Sequence, residues 1–233
     1  MVREAWDLTG RRCFAQGEKH ACFLLIQPAD THDLELMERE IGQIRALCST
    51  PFLHLAFQVE DWNDDLSPWG AAPVFGDQAF SGLAADTLRW TEETLLPEIL
   101  KRYGIGREAP VIVGGYSLAG LFALWSVYQT DCFSGAACAS PSLWFPGWIS
   151  YAEKHVPRTE RIYLSLGDRE EKTRNVVMAR AGDCIRRQQE LLRKYSPPVE
   201  STLEWNEGNH FRDPDLRTAR AFAWCMNQPR DRK

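Results

Sequence analysis

The sequence lacks several features that would assign it to common classes of protein. Its 233 residues contain no apolar run long enough to span a bilayer, and residues 1–7 hold no apolar core of a secretory signal. The formal net charge of −5 gives no reason to expect a nucleic-acid partner. No H-E-x-x-H, Walker A or G-x-G-x-x-G motif is present, and none of the seven cysteines stands in a Cys-x-x-Cys or Cys/His metal pattern. We therefore expect no metal, no cofactor, no membrane and no nucleic acid.

What remains is the composition of an ordinary globular domain, with 44% apolar and 25% charged residues. No repeat, low-complexity tract or linker divides the chain, so we expect a single domain over residues 1–233. Several cysteines, among them Cys138 and Cys225, lie in apolar runs, where a free thiol behaves as a small hydrophobic side chain. This usage predicts a reducing compartment and hence a cytoplasmic location. The sequence leaves the oligomeric state open.

Short apolar β-type runs alternate with longer amphipathic segments along the chain. The predicted strands cover residues 12–15, 21–27, 52–59, 111–114, 135–139, 162–165 and 201–205, and the predicted helices cover residues 31–47, 86–103, 117–128, 171–195 and 213–225. Several strands are almost continuously apolar, which is typical of strands buried on both faces of a parallel sheet. The alternation predicts an α/β fold with a mainly parallel central sheet and helices on both faces. A short polar turn between the first two predicted strands favours an antiparallel start.

A long irregular segment, residues 60–83, follows the predicted strand 52–59. Loops of this length in compact domains are commonly functional, and this one is too rich in aromatic residues for a disordered linker. It leaves the carboxyl end of its strand, the side on which α/β proteins bind ligands. We expect Trp62 and Trp69 from this loop to line a substrate cleft together with Trp144, with Trp148 as a further candidate. Tryptophan is also frequent in plain cores, and that alternative stays open.

The strongest chemical signal lies around Ser117, in the segment Val-Ile-Val-Gly-Gly-Tyr-Ser-Leu-Ala-Gly-Leu. A buried strand, a tight turn with serine at its apex and an apolar helix form the layout of the nucleophile elbow G-x-S-x-G. Small residues are needed two positions before and after the serine, and Gly115 and Ala119 occupy them. The turn also places Ser117 at a helix N-terminus, where free N–H groups stabilise an oxyanion. The alternative is an ordinary serine N-cap.

A general base and an acid should follow the nucleophile in chain order. Of the five histidines only His155 and His210 follow Ser117, and His155 lies in a charged helical segment. His210 lies in a polar gap between the last predicted strand and the last helix, where a base can reach back over the sheet. The acid should leave the strand 162–165, and three carboxylates compete there: Asp168, Glu170 and Glu171. We favour Glu170 as the acid, with Asp168 as a turn or helix-capping residue and Glu171 directed towards solvent.

Four motifs together resemble one branch of the α/β hydrolases, which includes enterochelin-esterase-like enzymes, feruloyl and acetyl xylan esterases and mycolyl transferases. These motifs are Gly-Gly-Tyr-Ser-Leu-Ala-Gly around Ser117, Ala-Ser-Pro-Ser-Leu-Trp at 139–144, Ser-Leu-Gly-Asp-Arg-Glu at 165–170, and Gly-Asn-His at 208–210. The Ser-Pro-Ser-Leu-Trp segment is more telling than the elbow, because it has no general folding reason to recur. The resemblance implies an α/β-hydrolase fold without a large cap domain. In this branch the acid often lies three residues after a glycine at the end of its strand, and Glu170 lies three residues after Gly167.

The same resemblance implies a serine hydrolase that cleaves small-molecule carboxylic esters through an acyl-enzyme intermediate. One oxyanion donor should be the N–H of Leu118. The second should follow the strand 21–27, where relatives usually carry a glycine; Pro28 has no N–H, so Ala29 is the next candidate. Two alternatives stay open. An acyltransferase would use identical residues, and a non-catalytic binding protein would keep only the fold.

Overall fold

The computed structural model of the chain describes residues 1–195 and 199–227. Eight strands form the central sheet, in the order β1-β2-β4-β3-β7-β8-β9-β10, and β5 and β6 pair as a separate short hairpin. The strand bounds are β1 Val2–Leu8, β2 Arg11–Gly17, β3 Phe23–Ala29, β4 Phe52–Gln58, β5 Gly70–Ala71, β6 Phe80–Ser81, β7 Val111–Tyr116, β8 Gly135–Ala139, β9 Arg161–Gly167 and β10 Glu200–Asn206.

The sheet is parallel from β4 through β10, as the sequence predicted, and antiparallel at its N-terminal edge. The predicted antiparallel start has different partners, however. β2 does not pair with β3, the next strand along the chain; it lies antiparallel between β1 and β4. The sequence prediction missed β1 because this edge strand has neither a continuous apolar run nor a regular apolar alternation, and only Val2 is buried. Edge strands in general need little apolar surface.

The helices cover both faces of the sheet. Their bounds are α1 Thr31–Leu47, α2 Trp62–Leu66, α3 Ala84–Trp90, α4 Leu96–Tyr103, α5 Ser117–Gln129, α6 Trp148–Ala152, α7 Ala181–Lys194 and α8 Pro214–Met226. α1 and α8 pack on one face, where Leu25 and Ile112 of the central strands contact Ile41 of α1 and Phe222 of α8 in one buried cluster. The remaining helices contribute to the larger cluster on the opposite face. Alternate residues of the buried strands therefore enter different clusters.

Two predicted helices differ from the observed ones for local reasons. The helical segment predicted over 86–103 divides at a π-helical turn, Thr91–Leu95, directly before Pro97, and ends at Gly104 with a left-handed φ of 62°. Proline lacks the N–H that a continuous α-helix requires, which accounts for the interruption at this point. The segment predicted to start at residue 171 begins its α-helix only at Ala181, because residues 168–177 form the loop at the end of β9.

The connection between β4 and β7 is the longest excursion from the sheet. Its irregular part holds the five-residue helix α2 and the hairpin β5–β6, and no large cap domain is inserted anywhere in residues 1–195 and 199–227. The predicted α/β-hydrolase architecture without a large cap is confirmed. No described helix combines the length and the apolar character that crossing a membrane requires.

Candidate active site

Ser117 lies at the turn between β7 and α5, in the centre of the sheet. Its φ of 57° is in the left-handed region, which an L-residue other than Asn or Asp adopts rarely and at a cost. The turn is tight: a Cβ added to Gly115 would lie 2.6 Å from the Cβ of Ala119. Gly115 therefore cannot be replaced by a larger residue, because Ala119 occupies the position of the second glycine in the G-x-S-x-G motif. The chain around Ser117 thus forms a strained elbow that presents the hydroxyl at the start of α5.

His210 lies in the loop between β10 and α8, and its ring contacts Ser117. Its Nδ1 is 2.7 Å from Oε2 of Glu170, and its Nε2 is 3.0 Å from Oγ of Ser117. A carboxylate can only accept, so Nδ1 carries the proton in the neutral ring and Nε2 accepts from the serine hydroxyl. The three side chains therefore form a continuous relay from carboxylate to nucleophile.

Glu170 is deeply buried, with 5% of its side chain exposed. Its second oxygen, Oε1, accepts from the Gly167 N–H at 2.7 Å and the Ser140 hydroxyl at 2.8 Å. Burial alone raises the pKa of this carboxyl, but the hydrogen bond and charge of His210, helped by the two other donors, outweigh burial and lower the pKa below its usual value. The carboxylate is therefore held in its ionised form.

The two competing carboxylates have other partners. Asp168 accepts from the Gly208 N–H at 2.8 Å and so fastens the loop that carries His210 to the end of β9. Glu171 forms an ion pair with Arg186, 3.1 Å apart, at the surface. His155, the other histidine after Ser117, stacks on Tyr151 away from these groups. Of the three carboxylates, the geometry thus brings Glu170 to the base.

The Ser-Pro-Ser-Leu-Trp segment after β8 supplies three groups to the same site. Ser140, with a left-handed φ of 41°, holds Glu170, and the Ser142 hydroxyl lies 3.3 Å from the Ser117 hydroxyl. The Ser142 N–H also donates to the Ser117 carbonyl at 3.0 Å, which fixes the elbow from the side. Trp144 lines the cavity next to the nucleophile. This motif therefore connects the acid, the nucleophile and the cavity wall.

A cavity of about 400 Å³ opens beside Ser117. Its walls are largely aromatic, and of the described residues they include neither lysine nor arginine, nor any carboxylate. The lining residues are Trp62, Asn63, Phe75, Phe80, Ser117, Leu118, Ser142, Trp144, Met178, His210 and Phe211. Trp62 and Trp144 were expected here from the sequence. Phe75 and Phe80 were not expected, because their approach depends on how residues 60–83 fold over the sheet, and Phe211 comes from the loop that carries His210.

The structure does not bring Trp69 to this cavity. The indole N–H of Trp69 donates to the Pro146 carbonyl at 2.9 Å, and its rings pack against Phe145 and Tyr151. Trp69 therefore anchors the long loop, residues 60–83, to the segment after β8. Trp148 is likewise absent from the lining; it is fully buried and donates to Gln188 at 3.0 Å.

The two expected oxyanion donors have different positions. Leu118 lies in the first turn of α5 and lines the cavity, so its N–H is near the nucleophile. Ala29 is the last residue of β3, and its carbonyl accepts from the Val59 N–H at 3.2 Å. The N–H and carbonyl of a strand residue point to the same side, so the Ala29 N–H also faces β4. The peptide group of Ala29 belongs to the sheet rather than to the site.

Arg217 of α8 is a further residue of the site, and it was not predicted from the sequence. It is almost completely buried, and its Nη1 lies 2.9 Å from Oε1 of Glu170. Only its position on the inward face of α8 distinguishes it from the other arginines, and a single sequence does not reveal which face of that helix meets the loop.

Comparisons with known proteins agree with this architecture. No family model and no curated protein matches the sequence. Solved structures do match: the siderophore hydrolase EstA from Aspergillus nidulans is 16% identical, with a TM-score of 0.74, and the alignment covers 95% of this chain and 93% of that chain. An IroE-like serine hydrolase from Shewanella oneidensis is 14% identical, with a TM-score of 0.75, over 96% of this chain and 79% of that chain.

The enterobactin and salmochelin hydrolase IroE is 15% identical, with a TM-score of 0.63, over 97% of this chain and 95% of that chain. A further structure of IroE contains DFP. At such low identities the likeness establishes a shared fold, the α/β-hydrolase fold. The solved structures that share this fold include siderophore and enterobactin hydrolases.

Proposed function

We propose that this chain is a serine hydrolase that cleaves carboxylic esters, with Ser117 as nucleophile, His210 as base and Glu170 as the acid that orients it. The single observation that carries this proposal is the hydrogen-bonded relay, with 3.0 Å between Ser117 Oγ and His210 Nε2 and 2.7 Å between His210 Nδ1 and Glu170 Oε2. The relay ends at an open cavity, so a substrate carbonyl can approach the nucleophile. A non-catalytic protein of this fold does not require serine, histidine and carboxylate side chains that are hydrogen-bonded in series.

In this mechanism His210 removes the Ser117 proton as Oγ attacks the ester carbonyl. The Leu118 N–H stabilises the negative charge that forms on the carbonyl oxygen. The ester C–O bond then breaks, and the leaving alcohol takes the proton from His210 Nε2. Water next gives its proton to His210 and attacks the acyl-enzyme; the acid product leaves, and the proton returns to Ser117. Glu170 stays ionised throughout and stabilises the imidazolium.

The cavity favours an uncharged acyl group with apolar or aromatic character, because aromatic side chains form most of its wall. The neighbours named above are described as siderophore, enterobactin and salmochelin hydrolases, so these siderophores belong in a substrate panel with simple short-chain esters. A cytoplasmic location stays a prediction from cysteine usage; the structure pairs none of the seven thiols.

Labelling with a fluorophosphonate probe tests this proposal directly. The adduct should lie on the peptide that contains Ser117, and the Ser117→Ala variant should not react. Product analysis of an ester substrate with and without an added alcohol then separates hydrolysis from acyl transfer. A folded wild-type protein that takes up no label, or takes it up at another residue, would contradict the proposal.

A further inference from the structure

Arg217 connects three parts of the site through one guanidinium. On one side, Nη1 lies 2.9 Å from Glu170 Oε1, 3.2 Å from Ser140 Oγ and 3.0 Å from the Tyr116 hydroxyl. The Tyr116 hydroxyl in turn donates to the carbonyl of His210 at 2.8 Å. This side of the guanidinium therefore contacts the acid of the triad and, through Tyr116, the backbone of the base.

The other side of the guanidinium holds the loop that carries the base. Nη2 donates to the carbonyl oxygens of Glu207 and Asn209, each at 3.1 Å. These two carbonyls flank Gly208, whose own N–H is held by Asp168. The backbone directly before His210 is thus fastened from both directions by buried hydrogen bonds.

The burial of this charge needs an explanation, because only 2% of the Arg217 side chain is exposed. Removing a guanidinium from water costs several kcal/mol unless it is paired and its donors are satisfied. One carboxylate would pair the charge, but the planar fork also reaches two loop carbonyls, which a lysine ammonium on a flexible stem cannot do in the same geometry. The Arg217 guanidinium therefore connects the segment after β9, which carries Glu170, with the loop that carries His210.

We propose that Arg217 is a positioning residue that sets the separation of Glu170 and His210 and moderates the charge of Glu170. This proposal rests on the proposed function of the site. Glu170 gives one oxygen to His210 and the other to Arg217. A cation 2.9 Å from the carboxylate offsets part of its attraction for the imidazolium, so losing that cation stabilises the protonated base.

The charged groups next to the base on its own loop pair with each other: Arg212 lies 2.9 Å from Glu207 and 3.5 Å from Asp213. Tyr116 packs against the imidazole with ring centroids 5.0 Å apart; burial and then the charge of Glu170 raise the pKa of Tyr116 to about 12, so the phenol stays neutral. Asp168 is occupied by the Gly208 N–H. A change in the acidic limb of the pH profile on replacing Arg217 would therefore report the Arg217 charge.

The test compares Arg217→Met and Arg217→Lys with Arg220→Met, a matched control on the same helix whose side chain is 41% exposed and pairs with Glu204. With a small activated ester, Arg217→Met should lower kcat about 10²-fold, the usual cost of about 1 Å of misplacement, with KM nearly unchanged. The acidic limb of its kcat/KM profile should move to higher pH. Arg217→Lys should keep that limb in place but still lose about tenfold in kcat, because the loop carbonyls are released. Arg220→Met should match wild type.

Wild-type kcat in Arg217→Lys would overturn the proposal, and this variant decides the question if Arg217→Met fails to fold. An unmoved acidic limb in folded Arg217→Met would also overturn it. Neither result contradicts the proposed function, which is tested separately by fluorophosphonate labelling of Ser117 in the wild-type chain.

The three peptide groups at the end of β3 cannot supply the second oxyanion donor. Pro28 has no N–H, the Ala29 N–H faces β4, and the Asp30 N–H donates to Asp33 in the capping box of α1 at 3.2 Å.

Asn63 carries an uncommitted donor on the cavity wall. The residue is 5% exposed and lines the same cavity as Ser117 and Leu118. Its backbone N–H donates to Asp61 at 3.0 Å, but within residues 1–195 and 199–227 its side-chain amide has no hydrogen-bond partner. A side-chain amide on a cavity wall that has no protein partner can donate to a bound ligand.

We infer that the Asn63 side-chain amide donates to the substrate carbonyl oxygen as negative charge forms on it, opposite the Leu118 N–H. This inference also rests on the proposed function. Asn63→Ala and Asn63→Asp should each lower kcat about 10²–10³-fold with little change in KM, as removal of an oxyanion donor does elsewhere. Asp64→Ala is the control, since Asp64 lies on the same short helix and binds the Ser81 N–H at 2.8 Å without lining the cavity.

An Asn63→Ala variant that raises KM while keeping kcat would overturn this inference and indicate a contact made equally in the ground state. Equal losses in Asp64→Ala would also overturn it, because they would show that α2 matters only as support. A fluorophosphonate adduct on Ser117 in these variants would show that the proposed function survives either result.

Discussion

The Ser140 hydroxyl donates to Oε1 of Glu170 at 2.8 Å and lies 3.2 Å from the Arg217 guanidinium, which contacts the same oxygen. The oxygen of Glu170 that faces away from the base is thereby saturated with donors. The other oxygen is left to His210 alone. This division fixes the rotation of the carboxylate, and through it the orientation of the imidazole.

Ser117→Ala should abolish hydrolysis of small activated esters, with a loss of about 10⁴–10⁶ in rate. The fold should persist, because the change removes one oxygen. Ser150→Ala, an exposed serine on α6, is the control for the substitution itself. Steady-state kinetics and circular dichroism of both variants check the prediction; retention of more than about a tenth of the activity in Ser117→Ala would remove Ser117 from its role.

Glu170→Gln should lower kcat by about 10²–10⁴, because the base loses the carboxylate that stabilises the imidazolium. It should also lower the free energy of unfolding by about 3–5 kcal/mol, since the buried Arg217 loses its counter-charge. The double variant Glu170→Gln/Arg217→Met should regain part of that stability without regaining activity. Urea unfolding and kinetics on all three proteins separate the two effects.

Asp168→Asn should behave differently from Glu170→Gln. Asp168 accepts the Gly208 N–H and does not contact the imidazole, so its loss should cost about 1 kcal/mol of stability and only a small part of kcat. Thermal unfolding and kinetics measured side by side check this. The reverse pattern, an inactive Asp168→Asn and an active Glu170→Gln, would move the role of the acid to Asp168.

Trp144→Ala should change KM or the preferred acyl chain far more than it changes the rate of fluorophosphonate labelling, because Trp144 forms part of the cavity wall. Trp69→Ala should instead lower the melting temperature, since Trp69 fastens the long loop through Pro146, Phe145 and Tyr151. Acyl-chain profiles and melting curves of the pair give the comparison. A shifted acyl preference in Trp69→Ala with unchanged stability would contradict this assignment.

Asp33→Asn should gain stability relative to wild type as the pH rises. Burial, and then the charges of Asp30 and Glu40, raise the pKa of Asp33 from 3.8 to about 7. Between these values the folded chain holds a proton that the unfolded chain has lost, so the free energy of unfolding falls as pH rises through this window. Asparagine has no such titration and still accepts the Asp30 N–H. Urea unfolding of both proteins at about pH 4 and about pH 8 measures the difference, which should not be constant.

The sequence was sufficient for the features that are local in the chain. Ser117 could be predicted because strand, turn and helix follow each other within fifteen residues, and α1 was predicted with its observed bounds from its start signal and spacing. Glu170 and His210 could be predicted because the connections after successive parallel strands meet at one edge of the sheet. These inferences require the order and direction of the strands but not the packing of individual side chains.

The features that were missed depend on which side of an element faces a neighbour. Ala29 was a plausible donor until the pairing of β3 with β4 fixed the direction of its peptide group. Trp69 and Phe75 come from the same loop, and only the folded path of that loop decides which of them reaches the cavity. Arg217 is one of two arginines on α8, and only the docking of that helix buries it.

The loop that carries His210 also has a consequence for how activity is lost. It lies between α8 and β10, the edge strand that pairs with β9 alone among the described strands. Polar contacts to Asp168, Tyr116 and Arg217 hold this loop in place. Ser117, in contrast, stands on the fully flanked strand β7. Local opening of the C-terminal unit would separate base from nucleophile while most of the sheet stays folded. Catalysis should therefore fail at a lower denaturant concentration than the fold itself, and amide hydrogen exchange in β10 and α8 should be faster than in β7 and α5.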